Sequence, residues 1–147
     1  MAWGRSGTTS EVRFMDTKRP QKQQQLKTAC SVARIVANSQ NHEMKVVLDV
    51  NSDLISFQDY ETFTLTLASS LSESSTSKHD VWRLNEPTLA DDYEYVCSGK
   101  VYKFDGSSDD RVTAFISIGG LIMALTGSYR HMGNINTNSH VYVLIRR

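Results

Sequence analysis

The stretch from residue 93 to residue 127 restricts the possible folds of this chain more than any other. It reads YEYVCSGKVYKF, a polar turn, RVTAFISI, Gly-Gly and LIMALTG. Short runs rich in aromatic and β-branched residues, separated by turn residues, predict three consecutive antiparallel strands. The first carries Gly99, and the alternation changes phase there: Tyr93, Tyr95 and Cys97 share one parity, whereas the bulky Tyr102 and Phe104 share the other. A glycine that interrupts a strand and shifts its apolar phase predicts a bulge or bend where the strand turns a sheet corner. Such corners let a small barrel close.

Gly119-Gly120 joins the second strand to the third. Two glycines between apolar runs predict a two-residue hairpin, because a type I′ turn needs positive φ at both central positions. Alternation then assigns the faces. Val112, Ala114, Ile116 and Ile118 share one face of the second strand, and Leu121, Met123 and Leu125 share one face of the third. The opposite faces, Thr113/Phe115/Ser117 and Ile122/Ala124/Thr126, are mixed. A strand that is half apolar on its second face predicts partial cover there, from another element or another protein.

Five further segments have strand character. Glu11 to Thr17 carries Val12, Phe14 and Met15 and is the part of the N-terminal region expected to be ordered, residues 1–10 being expected to be disordered. Pro20 to Gln25 reads as a solvated connection. Thr28 to Ser39 alternates imperfectly and, with Ala29, Ala33 and Ala37, admits either a strand or a helix. In Glu43 to Val50, Met44, Val46, Leu48 and Val50 share one face, and Asn51-Ser52-Asp53 ends the strand. Ile55, Phe57 and Tyr60 are apolar anchors in the connection that follows. Thr62 to Leu67 alternates threonine with a large apolar residue throughout, which predicts threonines outward. Residues 69–88, dominated by serine and closed by Pro87, lose all periodicity and predict a mobile inserted loop, with Val81 to Leu84 as a segment that docks back. Ser128 to Ser139 predicts a loop with one helical turn, and Val141 to Arg146 a final strand. Eight strands and no long helix predict a single all-β domain over residues 1–147, an antiparallel Greek-key barrel.

Charge and cysteine content narrow the function classes. Sixteen basic residues balance sixteen acidic ones, a poor basis for a free-standing nucleic-acid binder, whose affinity comes largely from neutralising phosphates. The balance is uneven: residues 1–50 hold eight Lys/Arg against four Asp/Glu, and residues 51–147 hold eight against twelve. Cys30 and Cys97 lack CxxC spacing, which predicts buried reduced thiols and a reducing compartment. No apolar run is long enough to span a bilayer and the N-terminus lacks the apolar core of a signal peptide, so an intracellular protein without a membrane partner is expected.

Catalytic and metal patterns are missing from the sequence. His42, His79, His131 and His140 fall in separate loops or at a strand start, none with zinc-ligand spacing. His79-Asp80 sits in the serine loop, without the rigid support catalysis requires. Asp91-Asp92 with Glu94, and Asp109-Asp110, lack a coordination-loop pattern and read as solvated turn carboxylates. No Gly-rich loop precedes a helix, which leaves no P-loop or dinucleotide-binding turn. No cofactor, metal or small-molecule substrate is expected.

Several ordered motifs together resemble a known family. They are ADDYEYV at 90–96, GKVY at 99–102, GGLIM at 119–123 with Leu125 and Gly127, LDVN at 48–51 and VYVLIR at 141–146. Their order and spacing resemble the small common subunit shared by eukaryotic nuclear RNA polymerases I, II and III, over roughly Val32 to Arg147 apart from the serine loop. The family commonly opens with an acidic, aromatic strand and a Gly-Lys turn, and neither is clear here. The resemblance favours a strand over Thr28 to Ser39 and implies an eight-stranded barrel of oligonucleotide/oligosaccharide-binding character. It also implies a non-catalytic subunit held against the largest polymerase subunit, in the nucleus including the nucleolus.

Two functional classes follow. In the first, the chain is an assembly subunit whose exposed β surface docks on a larger partner, with Gly119, Gly120, Leu121 and Met123, together with Tyr95, Gly99 and Tyr102, forming that surface or its support; Gly-Gly lets another backbone approach closely. In the second, it is a free single-strand-binding barrel in which Tyr93, Tyr95 and Tyr102 stack bases beside Lys100 and Lys103. The acidic Asp91, Asp92 and Glu94 oppose phosphate, which favours the first and makes direct nucleic-acid contact at most weak.

Overall fold

The computed structural model describes residues 9–16, 21–22, 32–41, 43–58, 61–71, 87–106, 110–132 and 135–147. Cys30, His42, Tyr60, His79, the 81–84 segment and Asp109 therefore lie outside the described residues, as do most of residues 1–10 and of the serine loop. Where the loop leaves and rejoins the barrel, the Leu89 N–H donates to the Leu71 carbonyl at 3.0 Å.

The strands are β1 (Thr9–Asp16), β2 (Gln21–Lys22), β3 (Val32–Ser39), β4 (Lys45–Asn51), β5 (Thr62–Ala68), β6 (Tyr95–Gly106), β7 (Arg111–Ile118), β8 (Leu121–Ser128) and β9 (His140–Arg146). Neighbours run in the order β1-β5-β9-β6-β7-β8-β4-β3. β3 returns to β1 through Phe14↔Ser39, Met15↔Asn38 and Asp16↔Ala37, closing an eight-stranded antiparallel barrel. β2 adds a two-residue pairing to β3 outside that circuit, within the expected solvated connection. Full closure leaves few exposed edges. The segment that admitted strand or helix is strand over residues 32–39, because Ile35, Ala37 and Ser39 point inward with a period of two.

The core follows the alternation closely. Met44, just before β4, and Val46, Leu48 and Val50 of β4 are buried, as are Ala114, Ile116 and Ile118 of β7, Met123 and Leu125 of β8, and Val141, Val143 and Ile145 of β9. Burial of each such Val, Leu, Ile or Met side chain contributes about 1.5–3 kcal/mol. Phe63 stacks on Phe14 at 5.9 Å between centroids and meets the edge of Phe57 at 5.1 Å, tying the 54–61 connection to the interior. The expected helical turn is α1 (Tyr129–Met132), which drops Met132 into one end of the barrel.

Two details differ from the sequence reading. The register shift in β6 lies between Val101 and Lys103 rather than at Gly99. Gly99 and Val101 keep the inward parity of Tyr95 and Cys97, and the bulge at Tyr102 changes it. The corner is nevertheless there, since residues 95–100 pair with β9 and residues 100–106 with β7. Gly99 fits it for a different reason: a Cβ there would lie 2.8 Å from the Ser117 carbonyl oxygen and 2.8 Å from Ile116 Cγ2. In β5, Thr64 and Thr66 do not face water. Both are buried on the outer face of the sheet, as is Leu144 beside them on β9.

Candidate docking interface

The hairpin between β7 and β8 has the predicted turn. Gly119 and Gly120 have φ of +56° and +95°, both are exposed, and Ile118 pairs with Leu121 directly across the turn. The left-handed region at two successive positions is what glycine allows and β-branched residues resist. No atom lies within 4 Å of where a side chain would start at either position, so the tip is open to an approaching backbone.

The other candidate interface residues divide between surface and support. Leu121 is half-buried at the start of β8, and Tyr102 is 46% exposed on the outer face of β6. Met123 is fully buried, Tyr95 is 8% exposed in the core and Gly99 is buried against β7. Those three hold the strands that carry the surface. Burial raises the Tyr95 phenol above its usual range, and burial pushes the Cys97 thiol up to about 11. Cys97 is a free thiol whose Sγ donates to the Val143 carbonyl at 3.6 Å.

The outer faces of β6, β7, β8, β4 and β3 form one surface. Register places Lys103, Phe115, Ala124, Val47 and Val36 in one transverse row. Phe115, Ala124, Val47 and Val36 are all half-buried. Tyr102 packs obliquely on Phe115 at 6.1 Å and the Lys103 ammonium sits 5.7 Å from the Phe115 ring centre. Ile122, 44% exposed, lies opposite Ser117 in the adjoining row. On the other side runs a polar row in which Thr113 and Thr126 share a 2.9 Å hydrogen bond and Lys45 follows. Sequence alternation identified the mixed faces of β7 and β8 but gave no means of aligning them with β4 and β3, which needs the register.

The residues proposed to contact single strands do not come together. Tyr95 faces the core and Tyr102 the outer face of β6. Tyr93 precedes β6 and shares a 2.8 Å hydrogen bond with Thr66 Oγ1, the Arg146 guanidinium lying 5.3 Å from its ring centre. Tyr93 thus closes the outer face over β5 and is committed to the fold. Lys103 pairs with Asp105 at 2.7 Å, and Lys100 is exposed.

The charged residues singled out for catalysis or metal binding have structural roles or stand apart. Asp91 Oδ2 accepts from the Thr88 N–H at 2.8 Å at the start of a 3-10 turn (Leu89–Asp92). Glu94 takes Arg147 at 2.7 Å, and Arg147 also donates to the Ser56 carbonyl at 3.0 Å, pinning the 54–61 connection. His131 Nε2 lies 3.1 Å from Glu43, and His140 is exposed at the start of β9. Among the described residues no three His, Cys, Asp or Glu side chains cluster to hold a metal ion, and no helix is long and apolar enough to cross a membrane.

Comparison with known proteins places this barrel. The family model described as RNA polymerase Rpb8 matches residues 18–147. A Saccharomyces cerevisiae protein named DNA-directed RNA polymerases I, II, and III subunit RPABC3 is 38% identical over 125 residues, covering 79% of this chain and 85% of the relative. The Dictyostelium discoideum protein of the same name is 35% identical over 118 residues, covering 79% and 82%. An Arabidopsis thaliana protein named DNA-directed RNA polymerases II, IV and V subunit 8B is 33% identical over 120 residues with the same coverage. With its closed eight-stranded barrel and a family match that spans all but the first strand, the chain belongs to the RNA polymerase Rpb8 family.

Proposed function

We propose that this chain is a structural subunit of nuclear DNA-directed RNA polymerases, common to polymerases I, II and III, which docks on the largest subunit and supports transcription without an active site of its own. The family match over residues 18–147 carries this reading, together with relatives whose names assign them to three polymerases at once. A subunit shared among enzymes contributes through the stability and placement of an interface. The open Gly119-Gly120 tip, Leu121 and Tyr102 are assigned to that interface, with Met123, Tyr95 and Gly99 supporting it from within. Catalysis would reside in the large subunits, and the location would be the nucleus, including the nucleolus.

A tagged copy recovered from nuclear extract at moderately high salt tests this. Co-purification of large subunits from more than one polymerase class is the expected result, and the classes recovered define which enzymes use this chain. Recovery of the chain alone, retained on single-stranded DNA in a salt-sensitive way, would overturn it.

A further inference from the structure

We propose that the open outer face of β3, β4, β8, β7 and β6 receives a protein surface of the polymerase that is apolar at its centre and acidic at its rim. This rests on the subunit reading above and names the chemistry of its partner surface. The row Phe115–Ala124–Val47–Val36 supplies the apolar seat, flanked by Ile122 and Tyr102. At about 4.8 Å between strands, five strands carry this face over about 19 Å.

Contrast within the same barrel points to an outside partner. Over β5 and β9 the chain covers its own outer face, burying Thr64, Thr66 and Leu144. Over β7, β8 and β4 the outer row stays half-buried, and the adjoining Ile122 is 44% exposed. Charge then selects the partner. The outer positions of this face carry Lys100 and Lys103 on β6, Arg111 on β7, Lys45 on β4 and Arg34 on β3, against the carboxylates Asp105 and Asp49. Both carboxylates are already engaged, Asp105 with Lys103 at 2.7 Å and Asp49 with Arg34 at 2.7 and 3.0 Å. Among the described residues Lys45, Lys100 and Arg111 are left without an anionic partner, although residues 51–147 as a whole hold eight basic against twelve acidic residues. Complementary potential of this kind sets the register and the choice of partner.

The row also separates protein from nucleic acid. Single strands bind by stacking successive bases on aromatic platforms, whereas Ala124, Val47 and Val36 are aliphatic and the two aromatic rings, Tyr102 and Phe115, pack on each other. An apolar centre with a charged rim is the usual anatomy of a protein interface.

Two experiments test the assignment. First, polymerase purified through the tagged chain and the free chain are treated in parallel with an amine-acylating reagent, and modification of Lys45 and Lys100 is followed by mass spectrometry. Both lysines are expected to react at least about fivefold more slowly in the polymerase; equal rates would overturn the assignment. Second, Ala124→Arg and the combined Lys45→Glu, Lys100→Glu, Arg111→Glu variant, each verified as folded by circular dichroism, are expected to recover roughly tenfold less polymerase than the parent chain. Undiminished recovery by both variants would remove this face while leaving the subunit reading intact, and failure of the parent chain to recover polymerase would overturn both. Binding of a single-stranded oligothymidylate that is lost in the triple variant while polymerase recovery is kept would assign the face to nucleic acid instead.

Discussion

Replacing Gly99 by alanine isolates the corner of the barrel. The added Cβ would sit 2.8 Å from the Ser117 carbonyl oxygen, 2.8 Å from Ile116 Cγ2 and 2.9 Å from Ile118 Cγ1. Unstrained carbon contacts lie at about 3.5–4.0 Å, and one of these neighbours is backbone, so rotamer changes alone cannot relieve the crowding. β7 would have to move away from β6 beside the Lys100↔Ser117 pair, where β6 passes from β9 to β7. Overpacking of this kind costs about 1–3 kcal/mol. Stiffening of the unfolded chain by Gly→Ala returns about 0.4–1 kcal/mol, and the crowded backbone atom places the net loss near 2 kcal/mol. At about 2–4 °C per kcal/mol for a chain of this size, Tm should fall by roughly 4–8 °C. Gly106→Ala is the control, because nothing lies within 4 Å of its Cβ position; its stability should stay within about 1 kcal/mol of the parent. Urea titrations of the full chain, followed by far-ultraviolet circular dichroism, compare the two at equal m-value. A midpoint for Gly99→Ala equal to or above that of Gly106→Ala would refute the packing account of this glycine.

Further outcomes follow from other parts of the barrel. Gly120→Val forces a β-branched residue to φ of +95° at the hairpin tip and should cost about 1–3 kcal/mol. It should also lower recovery of polymerase more than Lys100→Ala, whose side chain is exposed; equal, unimpaired recovery with both would sink the role of the hairpin. Tyr93→Phe leaves the fully buried Thr66 hydroxyl without its 2.8 Å partner and should cost about 1–2 kcal/mol by thermal denaturation. The combined Tyr93→Phe, Thr66→Val variant should recover part of that loss, and a strictly additive double variant would argue against the pairing. Cys97 has its thiol pushed up to about 11 by burial, above the usual range of a free thiol. The folded state then holds its proton more tightly than the unfolded state, so this contribution is complete below about pH 9 and is lost as pH rises through about 11, a fall of about 2–3 kcal/mol. Cys97→Ser should flatten that alkaline limb in denaturation measured between these values, and an unchanged limb would contradict the assignment.

Much of the barrel was legible because each strand has one committed face. Met44 to Val50, Val112 to Ile118 and Leu121 to Leu125 declared their inward residues by alternation alone, and Gly119-Gly120 declared its turn. The bulge at Tyr102 was misplaced to Gly99 because parity shows that a phase changes between Cys97 and Phe104 without showing where. Thr64 and Thr66 were read outward because a hydroxyl on an alternating strand suggests water. The Thr66 hydroxyl is partnered by Tyr93, 27 residues away, and no local pattern encodes that contact. Among the candidate interface residues, the sequence did not separate Met123 and Tyr95, which are buried in the core, from Tyr102, which lies on the outer face, or from Leu121, which is half-buried where the inward row of β8 meets the hairpin tip. The row from Phe115 to Val36 was invisible for the same reason, since it exists only once four strands have been set in register.

β9 lies between β5 and β6, yet it follows every other strand in sequence. During synthesis β5 and β6 are therefore made long before the strand that joins them, and each presents an unsatisfied edge of N–H and C=O groups until His140–Arg146 arrives. Pairings of such large sequence separation make folding slow and leave partly formed sheets open to pairing with other chains. The barrel is consequently most exposed to misassembly before its last strand is inserted, and loss of β9 would open the closed ring into a curled sheet with β5 and β6 as its two free edges.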